Sequence, residues 1–251
     1  MLASLFFYMV SVLVEKDLPN RIYAPPATGA LSWSELVITA LGVTAPLLWM
    51  GALYFGGEEA ILPPRVTEDT ARLKGLALPL RVFMPGPLTG VAYTMLIVIL
   101  TLGGLVLFNA TSAVTAGQAN LAWSAVSAAV PVALFVFAAA AIAALFSSFG
   151  FTHRGAGLAA FGVTAVLAFG PLILLACEEA ISGPARSTIW NVHYLSPIVA
   201  LISAHGASTA AWRVVSLPGG AEVPLWAFSA VTYAIAVVVL WGWSDLRVRR
   251  M

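Results

Sequence analysis

Residues 122–146 read AWSAVSAAVPVALFVFAAAAIAALF, with no charged side chain among them. A helix that crosses the hydrocarbon core of a bilayer needs about 20 mostly apolar residues, and this stretch supplies them. Working outward, three further segments meet the same demand: Leu36 to Phe55, Thr89 to Phe108 and Ala156 to Cys177. A fifth runs from Val223 to Trp243. The Pro, Ser and Thr residues inside these runs are tolerable, because an i−4 carbonyl or a neighbouring helix can satisfy them.

The whole chain has the same character. Of 251 residues, 61% are hydrophobic and 9% charged, and the mean hydropathy is +0.96. A soluble domain of this size carries roughly a quarter charged residues. An ordinary cytosolic enzyme and a disordered segment are therefore excluded. The formal charge of +1 implies no polyanion, so no nucleic-acid partner. Cys177 is the single cysteine, which excludes an internal disulfide framework and any multi-cysteine metal site. Residues 1–251 read as one integral membrane domain, all-α, a polytopic bundle of about six transmembrane helices surrounded by membrane lipid.

Two segments set the count. Leu2 to Val14 is short and has no cationic residue before it, so it does not read as a secretory signal. It is either a short span or the remnant of one from a longer chain, and we count it as a span. Ile189 to His205 is apolar but carries Asn191, His193 and Pro197. A re-entrant or interfacial helix on the outer side fits it better than a crossing. It lies within a long outer connection, residues 178–222, which could cap a cavity.

Lys and Arg placement gives the orientation. Arg65, Arg72, Lys74, Arg81, Arg154, Arg247, Arg249 and Arg250 share one side if there are six spans; Lys16, Arg21, Arg186 and Arg213 occupy the other. That bias predicts a multi-pass protein of the cell (inner) membrane with both termini in the cytoplasm. Trp33, Trp190, Trp212 and Trp226 then fall near outer boundaries, and Trp241 and Trp243 near the inner one, the level that indole rings prefer. The largest cytoplasmic loop, residues 56–88, holds a capping cluster at Thr67, Glu68 and Asp69. Leu73, Leu76, Ala77 and Leu80 follow at helical spacing opposite Arg72 and Lys74, the pattern of an amphipathic helix lying on a membrane surface.

Chemistry-bearing motifs are scarce. The span centres hold no Asp, Glu, Lys or Arg, which argues against a proton-coupled carrier or ion pump. There is no phosphate-binding loop, no His-Glu-x-x-His and no Gly-x-Ser-x-Gly. No catalytic residue is identified, and no metal site or cofactor is assigned to the chain. Any energy for active transport enters through another polypeptide. Pro46, Pro131 and Pro171 sit inside spans and can kink them.

Leu145-Phe146-Ser147-Ser148 ends one span, a short loop with Arg154 leads into a Gly/Ala-rich span carrying Pro171, and Tyr194-Leu195-Ser196-Pro197 follows in the outer segment. A Trp-rich last span ends in Arg247-Val248-Arg249-Arg250. This half of the chain resembles the permease subunits of type-2 ABC exporters, divergent or shortened at the N-terminus. That resemblance implies no enzymatic activity here but an ATP-binding cassette ATPase subunit as partner, with ATP and Mg held there. It also implies a second permease subunit, identical or related. The cytoplasmic loop would supply the coupling helix, with Arg65, Glu68, Arg72 and Lys74 on it. His193, Ser196 and Pro197 would mark the re-entrant outer segment. Thr44, Pro46, Thr164 and Pro171 are the expected lining of the substrate pathway. The family's Glu-Arg-x-x-Gly-Thr pattern is absent; Thr67-Glu68-Asp69-Thr70 is a loose echo. Two other readings compete: a membrane-anchored electron-transfer subunit binding haem or quinone through His193 and His205, and a non-transporting membrane assembly factor.

Overall fold

The apolar run at 122–146 lies within one uninterrupted helix. The computed structural model describes residues 33–58, 87–104, 106–107, 119–176, 193–204, 214–216, 220 and 222–248. In chain order the helices are α1 (Trp33–Glu58), α2 (Pro87–Val98), α3 (Ala119–Ser148) and α4 (His153–Ala176). Next come a 3₁₀ turn at His193–Leu195, α5 (Pro197–Ala204), strands β1 (Val214–Ser216) and β2 (Glu222–Pro224), and α6 (Leu225–Val248). Among the described residues the protein is almost wholly helical, and three helices contain a stretch long and apolar enough to cross a membrane: Val126–Ser148, His153–Leu174 and Leu225–Ser244.

Pro46, Pro131 and Pro171 each sit inside a helix, and none ends it. A proline deletes one backbone bond, whereas a helix break in an apolar environment would leave several polar groups with no water to pair them. Pro87 opens α2, where its missing N–H would have had no partner in any case. The predicted span from Thr89 to Phe108 is not a uniform α-helix. It passes from α2 into a π-helical turn at Ile99–Gly103, and its apolar described part is Tyr93–Gly103.

Two predicted boundaries move. The span expected to begin at Ala156 begins at His153, because Thr152 caps it: its Oγ1 accepts the Gly155 N–H at 3.2 Å and its carbonyl accepts the Ala156 N–H at 2.8 Å. The turn between α3 and α4 is thereby cut to residues 149–152, with Gly150 at φ 85° supplying the left-handed step. The last span was expected from Val223, but Val223 lies in a two-stranded antiparallel ribbon, paired with Val215. This ribbon corrects the all-α expectation. β-branched Val214, Val215 and Val223 favour extended backbone, and the intervening Pro218-Gly219-Gly220 is a turn signal, with Gly220 at φ 80°.

The chain divides into two compact units, and the cut falls inside α1, α3, α4 and α6. The described part of the first is 33–46, 101–104, 106–107, 119–132, 165–176, 193–204, 214–216, 220 and 222–232. Its core includes Leu41, Pro131, Val199 and Leu225. The second is 47–58, 87–100, 133–164 and 233–248. Its core is the alanine run of α3, buried from Ala138 through Ala144. A Cβ on Gly56 would collide with the carbonyl and Cα of Ala140, so α1 and α3 touch there backbone to backbone. Small residues permit this approach between helices that lipid cannot drive together. The amphipathic loop helix, Leu2–Val14 and His205 lie outside the described residues.

Candidate functional site

Within the second unit, four helices meet around Trp49. An indole buried among apolar helices must place its N–H on an acceptor. Trp49 Nε1 donates to Thr164 Oγ1 at 3.0 Å. The Thr164 hydroxyl in turn donates to the Ala160 carbonyl, one turn earlier on α4, at 2.7 Å. The hydroxyl's proton is thus spent within its own helix, and its lone pair is left for the indole. The Trp49 ring stacks on Phe161 (centroids 5.1 Å apart, planes at 23°) and leans against Phe135 at 5.6 Å. Phe135 meets Tyr233 of α6 edge-on at 5.6 Å.

Hydroxyls make further ties. In the second unit Ser147 Oγ donates to the Gly57 carbonyl at 3.0 Å, and Ser244 Oγ to the Ala144 carbonyl at 3.4 Å. The His153 ring packs edge-on against Tyr54, centroids 4.8 Å apart, and its Nδ1 is buried with no partner among the described residues. In the first unit Ser196 Oγ donates to the Ala168 carbonyl of α4 at 2.8 Å and caps α5 by accepting the Val199 N–H at 3.4 Å. Ser229 Oγ donates to the Tyr194 carbonyl at 2.7 Å.

The expected site residues fall as follows. Thr164 has no exposed surface, and Pro171, Ser196 and Pro197 are buried. Thr44 and Pro46 are half-buried on α1. Thr164 and Pro171 lie seven residues apart on α4, two turns along one face. His193 begins the 3₁₀ turn. Arg65, Glu68, Arg72 and Lys74 lie outside the described residues.

Trp49, Phe161 and Tyr233 were missed by sequence reasoning. The usable signal was a tryptophan inside its apolar run rather than at its end, whose N–H needs an acceptor and finds it in Thr164 of another helix. Among the described residues no group of His, Cys, Asp or Glu could hold a metal ion. What the cluster presents is aromatic faces, hydroxyls and backbone carbonyls. That set suits van der Waals and hydrogen-bond contact with neutral or apolar molecules, and provides no acid–base or nucleophilic pair. Comparison with protein-family models, with curated proteins and with solved structures finds no match.

Proposed function

We propose that this chain is the membrane-embedded permease subunit of an ATP-driven exporter, powered by a separate ATP-binding cassette subunit. On this reading it has six spans, both termini in the cytoplasm of a cell-membrane protein, and a second permease subunit beside it. The observation that carries the reading is the path from Leu145 to Pro197. An uncharged span ends, a tight turn with Arg154 follows, and a Gly/Ala-rich helix runs back. The Leu-Ser-Pro step then opens an eight-residue helix held against it through Ser196 and Ala168. Eight residues extend about 12 Å, against roughly 30 Å of hydrocarbon. A short apolar helix of that length, between long ones, suits a re-entrant outer segment. The absence of charge in the span centres fits transport driven from outside this chain.

In the mechanism that follows, closure of the ATPase pair pushes on the loop at residues 56–88. The push reaches α1 at Gly56 and Gly57, which are packed on Ala140 and bonded to Ser147. Rearrangement of α1 against α3 and α4 then requires the Trp49–Thr164 bond to break, which frees the Thr164 hydroxyl for a passing substrate.

The test is purification of the full chain from its native membrane with whatever accompanies it. An ATPase subunit should co-purify, and its hydrolysis rate should depend on this chain. Recovery of the chain with no nucleotide-binding subunit, or with one whose rate is indifferent to it, overturns the proposal. A Soret band in the purified protein would transfer the case to electron transfer.

A further inference from the structure

We infer that Arg247 forms a binding site for the phosphate of an anionic phospholipid at the turn between α3 and α4. The inference goes beyond the exporter reading and stands without it. All three candidate spans end at this level: Val126–Ser148 ends at Ser148, His153–Leu174 begins at His153, and Leu225–Ser244 ends at Ser244. The bond from Ser244 to Ala144 and that from Arg247 to Ser148 hold the ends of α3 and α6 side by side. The turn therefore lies where hydrocarbon gives way to headgroups.

The Arg247 guanidinium is already oriented there. Its Nε donates to the Ser148 carbonyl at 3.1 Å, at the negative end of α3, and its central carbon lies 3.9 Å over the Phe149 ring. These two contacts fix the plane of the group and use one of its five donors. Both Nη groups keep theirs, with no hydrogen bond or ion pair among the described residues. A fork of parallel N–H donors matches two oxygens of one phosphate. Phe149 beneath it, Phe151 in the same turn, and Trp243 and Leu246 in the last turns of α6 are exposed, and Phe151 is braced edge-on by Phe146 at 5.6 Å. Large apolar side chains beside a guanidinium whose Nη donors have no partner among the described residues call for a ligand with an anionic head and acyl chains. Arg154, exposed at the start of α4, adds a second positive charge, so an anionic lipid is favoured over a zwitterionic one.

The full chain, delipidated in mild detergent and returned to nanodiscs of phosphatidylcholine and phosphatidylglycerol, should retain phosphatidylglycerol when released into a native mass spectrometer. Arg247→Gln should lower that retention about fivefold, the worth of one cation at a membrane surface. Arg247→Lys keeps the charge and a donor to Ser148 but lacks the fork, and should fall between. Phe149→Leu leaves Arg247 in place without its aromatic support and should also lower retention; it decides the matter if Arg247→Gln does not fold. Equal retention of both lipids, or phosphatidylglycerol retention unchanged in the folded variants, overturns the site. Displacement of the lipid by millimolar inorganic phosphate would assign the fork to a free anion instead, and would equally overturn it.

Discussion

Helices α3 and α6 are both apolar enough to live in lipid, yet they meet different neighbours. In the spanning window of α3, 67% of residues are buried inside the protein; in α6 it is 22%. Hydropathy does not separate them strongly, at 2.5 against 1.9. Side-chain size does. The buried stretch of α3 is alanine from Ala138 to Ala144 except for Ile142, whereas α6 turns Val231, Ile235, Val238 and Val239 outward. Lipid tails are as apolar as leucine, so helices gain little by hiding large apolar side chains from them. They gain by close approach, which only small residues allow. Along Ala138 to Ala144, then, small side chains set where α3 meets protein, whereas large ones are buried where they pack on one another, as Phe135 does on Trp49 and Tyr233.

The strongest challenge to this contrast is Trp49→Ala. It empties the centre of the packed cluster and should cost about 4 kcal/mol, read as a large loss of thermal stability in detergent. A stability loss under 1 kcal/mol would mean the four aromatic rings contribute little. On the opposite face, Val238→Arg should leave packing intact yet oppose membrane insertion by about 3 kcal/mol, scored by glycosylation of a tagged α6. Efficient insertion would mean that Val238 does not face lipid. Next comes a paired glycine test. Gly56→Leu should destabilise by about 2 kcal/mol through collision with Ala140, while Gly242→Leu, which meets nothing within 4 Å, should stay within about 0.5 kcal/mol. Similar effects at both positions would erase the distinction between faces. The finest test is Thr164→Val, which strands the Trp49 N–H and should cost about 1 kcal/mol. Trp49→Phe in that background should recover part of the loss.

The long helices α3, α4 and α6 were legible in the sequence because no charged side chain interrupts their apolar runs. Which side of α3 is buried was not, since a helix apolar all round has no phase to read. The role of Gly56 was hidden for a related reason: it depends on Ala140, far along the chain and with no local signature. Thr164 could be singled out because a hydroxyl in an apolar run must be satisfied somewhere. Its partner Trp49 could not be found without the packing of α1 on α4. The ribbon at 214–224 was overlooked because its three-residue strands are shorter than any periodicity can reveal, although three valines and a Gly-Gly turn pointed to it. Ser196 and Pro197 were placed in a helical outer segment, and the Ser196 cap explains why α5 starts at Pro197.

The turn at residues 149–152 has a consequence for biosynthesis. With so few residues between Ser148 and His153, neither limb can be released into lipid and wait for the other. The two must leave the insertion machinery as a hairpin. That hairpin carries Arg154 as the one lysine or arginine near its tip, a feeble sidedness signal by itself. On the six-span reading its direction of entry follows the more basic stretches upstream and downstream, and adding two lysines to the tip should bind that direction to the hairpin alone.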